Sequence, residues 1–119
     1  MRFIVIPQPI IVKAAGQPDV EWTFHRLLGE WLANSKYFGD NAASLRMGAK
    51  LEALFAARKA GEWVAVEDTD YQRLHTASEE SSYTAPAIAR QLIPFLDAVA
   101  DAKKEQPKPE PSPKEASAS

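Results

Sequence analysis

The chain has 119 residues, a formal net charge of −2 and no cysteine. This length corresponds to a single domain. The lack of cysteine excludes disulfides, cysteine-ligated zinc or iron–sulfur sites and a cysteine nucleophile, and the small negative charge argues against nucleic-acid binding driven by overall charge. No apolar run approaches the roughly 18–20 residues that a membrane span needs.

The N-terminal third of the chain predicts a small β-structure. Residues 3–6 are apolar and mostly β-branched, which favours a short strand, and Pro7 ends this run too early for a signal peptide. Residues 9–14 and 20–23 flank a dense turn signal and predict a hairpin. With a further strand near 62–67, we expect an α+β domain containing a small sheet of about three strands.

Four helices are predicted to pack against this sheet. The first begins after Thr23, a suitable N-cap, and carries apolar residues three and four positions apart. The second follows Asp40 or Asn41, and its predicted buried stripe comprises Leu45, Leu51, Leu54 and Phe55. The third covers about residues 69–78, after an acidic run that suits a helix N-terminus.

The fourth helix is predicted to contain a proline in its interior. Thr84 is the candidate N-cap, and Pro86 fits the first turn, where its missing amide costs nothing. Pro94 should kink this helix and free the carbonyl of Arg90. The kink has two interpretations: it wraps apolar side chains over the sheet, or it presents Arg90 and Gln91 to a partner.

The C-terminal segment differs in composition from the rest of the chain. Residues 103–119 contain four prolines, and their only apolar residues are alanine. Such a segment cannot bury enough surface to offset the entropy of ordering, so we expect a folded domain over residues 1–102 followed by a disordered tail. The tail is interpreted as a solubilising spacer or, alternatively, as a peptide motif for a partner.

No pattern of catalytic or metal-binding residues stands out. His25 and His75 lack the spacing to carboxylates or to another histidine that a metal site requires. The acidic run at 67–70 lacks the glycine and the distant glutamate of a calcium loop, and no serine has the setting of a nucleophile. The sequence therefore predicts a protein that is not an enzyme and that uses no metal or cofactor.

Two sets of residues are candidates for binding. Tyr37 and Phe38 fall in a predicted loop before Gly39, where they either pack in the core or form an exposed partner-binding pair together with Arg90 and Gln91.

Three basic residues support an alternative in which the chain binds DNA. Arg46, Lys50 and Arg58 fall on or near one side of the second helix. They form either a solvated helix face or the contact surface of a small DNA-binding regulator.

Three stretches of the chain resemble small accessory and morphogenesis proteins of tailed bacteriophages. They are the strand Phe-Ile-Val-Ile-Pro at residues 3–7, the segment Trp-Val-Ala-Val-Glu-Asp at 63–68 running into Asp70 and Tyr71, and Ala-Arg-Gln-Leu-Ile-Pro-Phe-Leu-Asp-Ala at 89–98. The resemblance covers about residues 1–102 and includes no catalytic motif. It implies a protein in the cytoplasm of a bacterial host that acts by protein–protein contact, as a virion component, an assembly factor or an inhibitor of a host protein.

Overall fold

The fold is α+β, and the computed structural model describes residues 1–83 and 85–105. Four short strands occur in this part of the chain: β1 (Arg2–Val5), β2 (Ile10–Val12), β3 (Val20–Trp22) and β4 (Trp63–Val66). The same residues form six α-helical segments: α1 (Phe24–Leu32), α2 (Ser35–Phe38), α3 (Ala42–Ala56), α4 (Asp68–Glu80), α5 (Pro86–Ala89) and α6 (Ile93–Ala100). A 3₁₀ turn over Arg90–Leu92 joins the last two.

The strands form two separate antiparallel pairs, β1 with β4 and β2 with β3. The predicted hairpin is confirmed as β2–β3, but the expected single sheet of about three strands is wrong. Pro7 and Pro9 explain the division, because a proline has no amide to donate to a ladder. Pairing along β1 therefore ends just past the strand, where Ile6 still exchanges hydrogen bonds with Glu62 and Gly61.

The chain remains ordered beyond the predicted domain boundary at residue 102. Lys103 exchanges two backbone hydrogen bonds with Phe3, of 2.9 and 3.0 Å, on the edge of β1 that faces away from β4. Ala102 is buried, and its carbonyl accepts a hydrogen bond from the Arg2 guanidinium. The predicted disorder of the tail concerns mainly residues 106–119, which lie outside the described residues.

An aromatic cluster forms the centre of the core. Phe24 of α1 lies with its ring centroid 6.0 Å from that of Trp31, 5.8 Å from that of Phe55 and 5.9 Å from that of Phe95. Helices α1, α3 and α6 therefore meet at one side chain. The predicted cap of α1 is confirmed, since Thr23 Oγ1 accepts a hydrogen bond from the amide of Arg26.

Helix α3 buries part of the predicted stripe: Leu51 and Phe55 are buried, and Leu54 is partly buried. Its buried residues are Ser44, Gly48, Leu51 and Phe55, whereas Leu45 is 59% exposed. The prediction for Leu45 is wrong because the core-facing stripe includes a serine and a glycine, which apolar periodicity does not detect. Gly48 leaves room for an aromatic ring from α2.

The predicted kink at Pro94 does not occur. The segment is already divided before the proline, and Pro94 lies in the first turn of α6. At that position a backbone amide has no acceptor within the helix, so the missing amide of Pro94 costs no hydrogen bond. The carbonyl of Arg90 is not freed either, because it accepts a hydrogen bond from the amide of Ile93. The predicted cap at Thr84 falls outside the described residues.

Replacing Pro94 with alanine should therefore change stability only slightly. We expect the free energy of unfolding to fall by less than about 1 kcal/mol, since the main effect is greater freedom of the unfolded chain. Urea denaturation followed by circular dichroism measures this change. An increase near 3 kcal/mol, the gain from removing a proline from a helix interior, would show that the helix runs through this position.

Candidate functional site

A groove of about 570 Å³ opens on the surface of the described residues. One wall consists of the end of β3 and the C-terminal half of α1, and the facing wall consists of α5 and the 3₁₀ turn. The α2 segment and the residues that follow α4 close the groove. Its lining residues are Trp22, Leu27, Glu30, Trp31, Asn34, Lys36, Tyr37, Glu80, Ser81, Ser82, Tyr83, Ala85, Ile88, Ala89 and Leu92.

A chain of hydrogen bonds holds two aromatic side chains of the groove in place. The indole Nε1 of Trp31 donates to the Tyr83 hydroxyl at 2.9 Å, and this hydroxyl donates to the carbonyl of Ser78 at 2.9 Å. Burial raises the pKa of Tyr83, although the hydrogen bond from Trp31 acts in the opposite direction. The hydroxyl therefore stays protonated at neutral pH, and its role here is to position the rings.

Replacing Tyr83 with phenylalanine removes both of these hydrogen bonds. The indole N–H of the buried Trp31 then loses its acceptor, and we expect the free energy of unfolding to fall by about 1–3 kcal/mol. Urea denaturation measures the loss. An unchanged free energy of unfolding would contradict the inferred role of the hydroxyl in fixing this wall of the groove.

A second interaction restricts another aromatic side chain that lines the groove. Trp22, at the end of β3, is half-buried, and the guanidinium carbon of Arg26 lies 3.8 Å from its ring centroid. Such a cation–π contact restricts the ring. The indole thus offers a fixed flat surface, and fixing it in advance lowers the entropy lost when a ligand binds.

Gln91 sets the position of one groove wall relative to the other. Its side-chain amide makes two hydrogen bonds to the backbone of Lys13, accepting at 2.9 Å and donating at 2.7 Å. These bonds attach the β2–β3 hairpin to the 3₁₀ turn. Both interpretations of this segment assumed a kink at Pro94; without it, the Gln91 side chain makes a contact within the fold, while Arg90 stays exposed.

Of the two interpretations of Tyr37 and Phe38, the structure supports burial. Both lie in α2, which Asn34 caps by accepting a hydrogen bond from the amide of Lys36. Tyr37 is 7% exposed and lines the groove, whereas Phe38 is 3% exposed and packs against Gly48. The groove thus includes Tyr37 among the predicted partner-binding residues but not Phe38, Arg90 or Gln91.

The three basic residues of the DNA-binding alternative do not form one free cationic surface. Arg46 and Lys50 share a face of α3, but the Lys50 ammonium lies 3.0 Å from Asp70 and 3.2 Å from Glu67. Hydrogen bonds to these carboxylates raise the pKa of Lys50. Arg58 lies beyond the end of α3, with its guanidinium 5.9 Å from the Trp63 ring centroid.

Most of the residues that line the groove could not be predicted from the sequence to lie together. Trp22 and Trp31 belong to one stretch of sequence, but Tyr83 and Ile88 come from a segment more than 50 residues away. The high number of aromatic residues for a small domain was the available signal. It indicated a binding surface without indicating which rings assemble.

Residues 1–83 and 85–105 contain no group of three side chains suited to hold a metal ion. Within the same ranges, no helix has the length and apolar character needed to cross a membrane. The chain matches no protein-family model, no curated protein and no solved structure.

Proposed function

We propose that this chain is a non-enzymatic bacteriophage protein that acts by binding another protein, and that the partner docks in the aromatic groove. The groove is the observation that supports a binding role, because it combines large rings held in fixed positions with a polar rim. The bacteriophage context rests on the resemblance of the three sequence stretches. A virion partner and a host target are both compatible with this function.

The chemistry of the groove supports protein binding. Rings and aliphatic side chains from Trp22, Tyr83 and Ile88 supply apolar contact area, and aromatic residues are enriched where interfaces concentrate their binding energy. Glu30, Glu80 and Lys36 supply charges of both signs at the edge. This arrangement resembles the apolar centre and polar rim typical of protein interfaces.

The size of the groove fits an extended segment rather than a whole protein surface. About 570 Å³ falls within the range of ligand clefts and is too small for a folded domain. We infer that a short peptide segment of the partner enters the groove.

A pull-down with a matched pair of variants tests the proposal. Ala89→Arg places a long charged side chain in the groove, whereas Leu45→Arg adds the same side chain on the exposed side of α3, outside the groove. Lysates of host cells with and without phage infection should yield a protein that wild type and Leu45→Arg retain and Ala89→Arg loses. Circular dichroism checks that both variants remain folded.

Nuclease treatment of the lysate separates protein contact from nucleic acid. If the captured protein is lost after nuclease treatment, or is lost with Arg46→Ala but kept with Ala89→Arg, the proposal is contradicted and the small DNA-binding regulator is supported. Equal retention by Ala89→Arg and wild type would place the partner elsewhere on the surface.

A further inference from the structure

We propose that the C-terminal segment of this chain, residues 106–119, occupies the aromatic groove of the same molecule and competes there with the partner. The inference rests on the proposed function, because it gives that binding site an internal competitor. Three observations carry it: the chemistry of the groove, the sequence of the segment, and the place where the segment leaves the fold.

The sequence of the segment matches the chemistry of the groove. It reads Gln-Pro-Lys-Pro-Glu-Pro-Ser-Pro-Lys-Glu-Ala-Ser-Ala-Ser, with a proline at every second position from 107 to 113. Grooves lined by aromatic rings are a common binding site for proline-rich segments, because proline restricts the backbone before binding and therefore reduces the entropy lost. The half-buried Trp22 and Tyr83 supply such rings here, and the buried Trp31 and Tyr37 lie behind them in the lining of the groove.

The charges of the two surfaces are also complementary. The groove is lined by two acids, Glu30 and Glu80, and by one base, Lys36. The segment also carries charges of both signs, with Lys108 and Glu110 among the prolines and the adjacent Lys114 and Glu115 after them. Opposite charges at a rim fix the register of a bound segment more than they add affinity.

The described end of the chain runs away from a nearer cleft and towards the start of helix α4. A cleft of about 390 Å³ is lined by Val5, Asp97 and Asp101 and by Lys103 itself. Lys103 pairs antiparallel with Phe3, so Lys104 and Glu105 continue towards Met1 and away from Val5. The N-terminal ammonium is the main cause of the lowered pKa of Asp68, and the charge of Lys104 adds to it, which places Lys104 near the start of α4.

Helix α4 then spans the distance from this point to the groove. Its 13 residues cover about 20 Å at 1.5 Å per residue, and Glu80 at its end lines the groove. The segment from 106 to 119 reaches about 43 Å at 3.1 Å per residue in a polyproline conformation. It is therefore long enough to follow α4 and place several of its prolines in the groove.

A spin label on the full-length chain tests the proposal. Because the protein has no cysteine, Ser112→Cys gives a single site for a nitroxide, which broadens the NMR signals of nearby protons. The indole N–H signal of Trp22 should lose most of its intensity, whereas that of Trp63, in the sheet from which the segment leaves, should keep more of it. Introducing Ala89→Arg should restore the Trp22 signal, and Leu45→Arg should not.

Several outcomes would overturn the proposal. Equal broadening of both indoles, or stronger broadening of Trp63, would mean that the segment does not occupy the groove. A mixture of equal amounts of ¹⁵N-labelled chain without a spin label and spin-labelled ¹⁴N chain detects contact between molecules. Broadening of the Trp22 signal in this mixture would mean that the occupant belongs to a second copy. If Ala89→Arg perturbs the fold, Ile88→Glu repeats the test.

This experiment is independent of the pull-down. Consider a pull-down that finds a partner lost by Ala89→Arg, together with a spin label that leaves the Trp22 signal unbroadened. That combination would leave the proposed function intact and refute the internal competitor. Broadening of Trp22 without any groove-dependent partner would support occupation by the segment and contradict the proposed function.

Discussion

Replacing Phe24 with alanine is expected to lower the free energy of unfolding by about 3–5 kcal/mol, the range for removing a large aromatic side chain from a core. Phe24 is 1% exposed and packs against Trp31, Phe55 and Phe95. Its loss would leave a cavity where α1, α3 and α6 meet. Urea denaturation measures the change.

Leu45→Ala provides the control for this experiment. Leu45 is an exposed residue of α3, and a substitution there should change the free energy of unfolding by no more than about 0.5 kcal/mol. A loss below about 1 kcal/mol for Phe24→Ala would contradict the core described above.

Replacing Phe38 with alanine is the second substitution expected to have a large effect, again about 3–5 kcal/mol. Phe38, the last residue of α2, packs against α3 at Gly48, which has no side chain. A Cβ placed on Gly48 would lie 3.4 Å from the Cβ of Phe38, so the two helices already pack closely. Removing the ring would leave a hole that α2, with only four residues, is poorly able to close.

The neighbouring Lys36→Ala separates the two interpretations of the aromatic pair. If Phe38 were an exposed binding residue, Phe38→Ala would leave the midpoint of urea denaturation near that of Lys36→Ala and would weaken partner binding alone. Burial predicts the reverse order: a much lower midpoint for Phe38→Ala, with partner binding reduced in proportion to the unfolded fraction.

Local signals in the sequence were sufficient for the elements formed by neighbouring residues. The turn signal at 15–19 predicted the β2–β3 hairpin, and Thr23 with the apolar spacing after it predicted α1. These elements depend on capping, turn residues and periodicity, all of which lie within a few positions of one another.

The short helix α2 shows where such signals fail. A helix of four residues is too short to display a period, and its cap, Asn34, looks the same as a residue that ends the preceding helix. Tyr37 and Phe38 therefore looked like loop residues. Their burial depends on Gly48 and on Arg73, whose guanidinium donates to the carbonyl of Tyr37 at 2.8 Å.

Long-range pairing explains why neither the sheets nor the groove could be fully predicted. β1 pairs with β4 across about 60 residues of sequence, and no local pattern identifies that partner. The groove likewise depends on Gln91 attaching the 3₁₀ turn to the hairpin, and on the hydrogen bond between Trp31 and Tyr83. Both contacts join segments that are distant in sequence.

The dissociation constant of the protein captured by the wild-type chain is the most direct test of the groove as the binding surface. Calorimetric titration of this purified partner should give a dissociation constant at least about 30-fold higher for Ala89→Arg than for wild type, which corresponds to about 2 kcal/mol at the centre of an interface. Leu45→Arg should match wild type. Equal affinities for wild type and a folded Ala89→Arg would contradict the account.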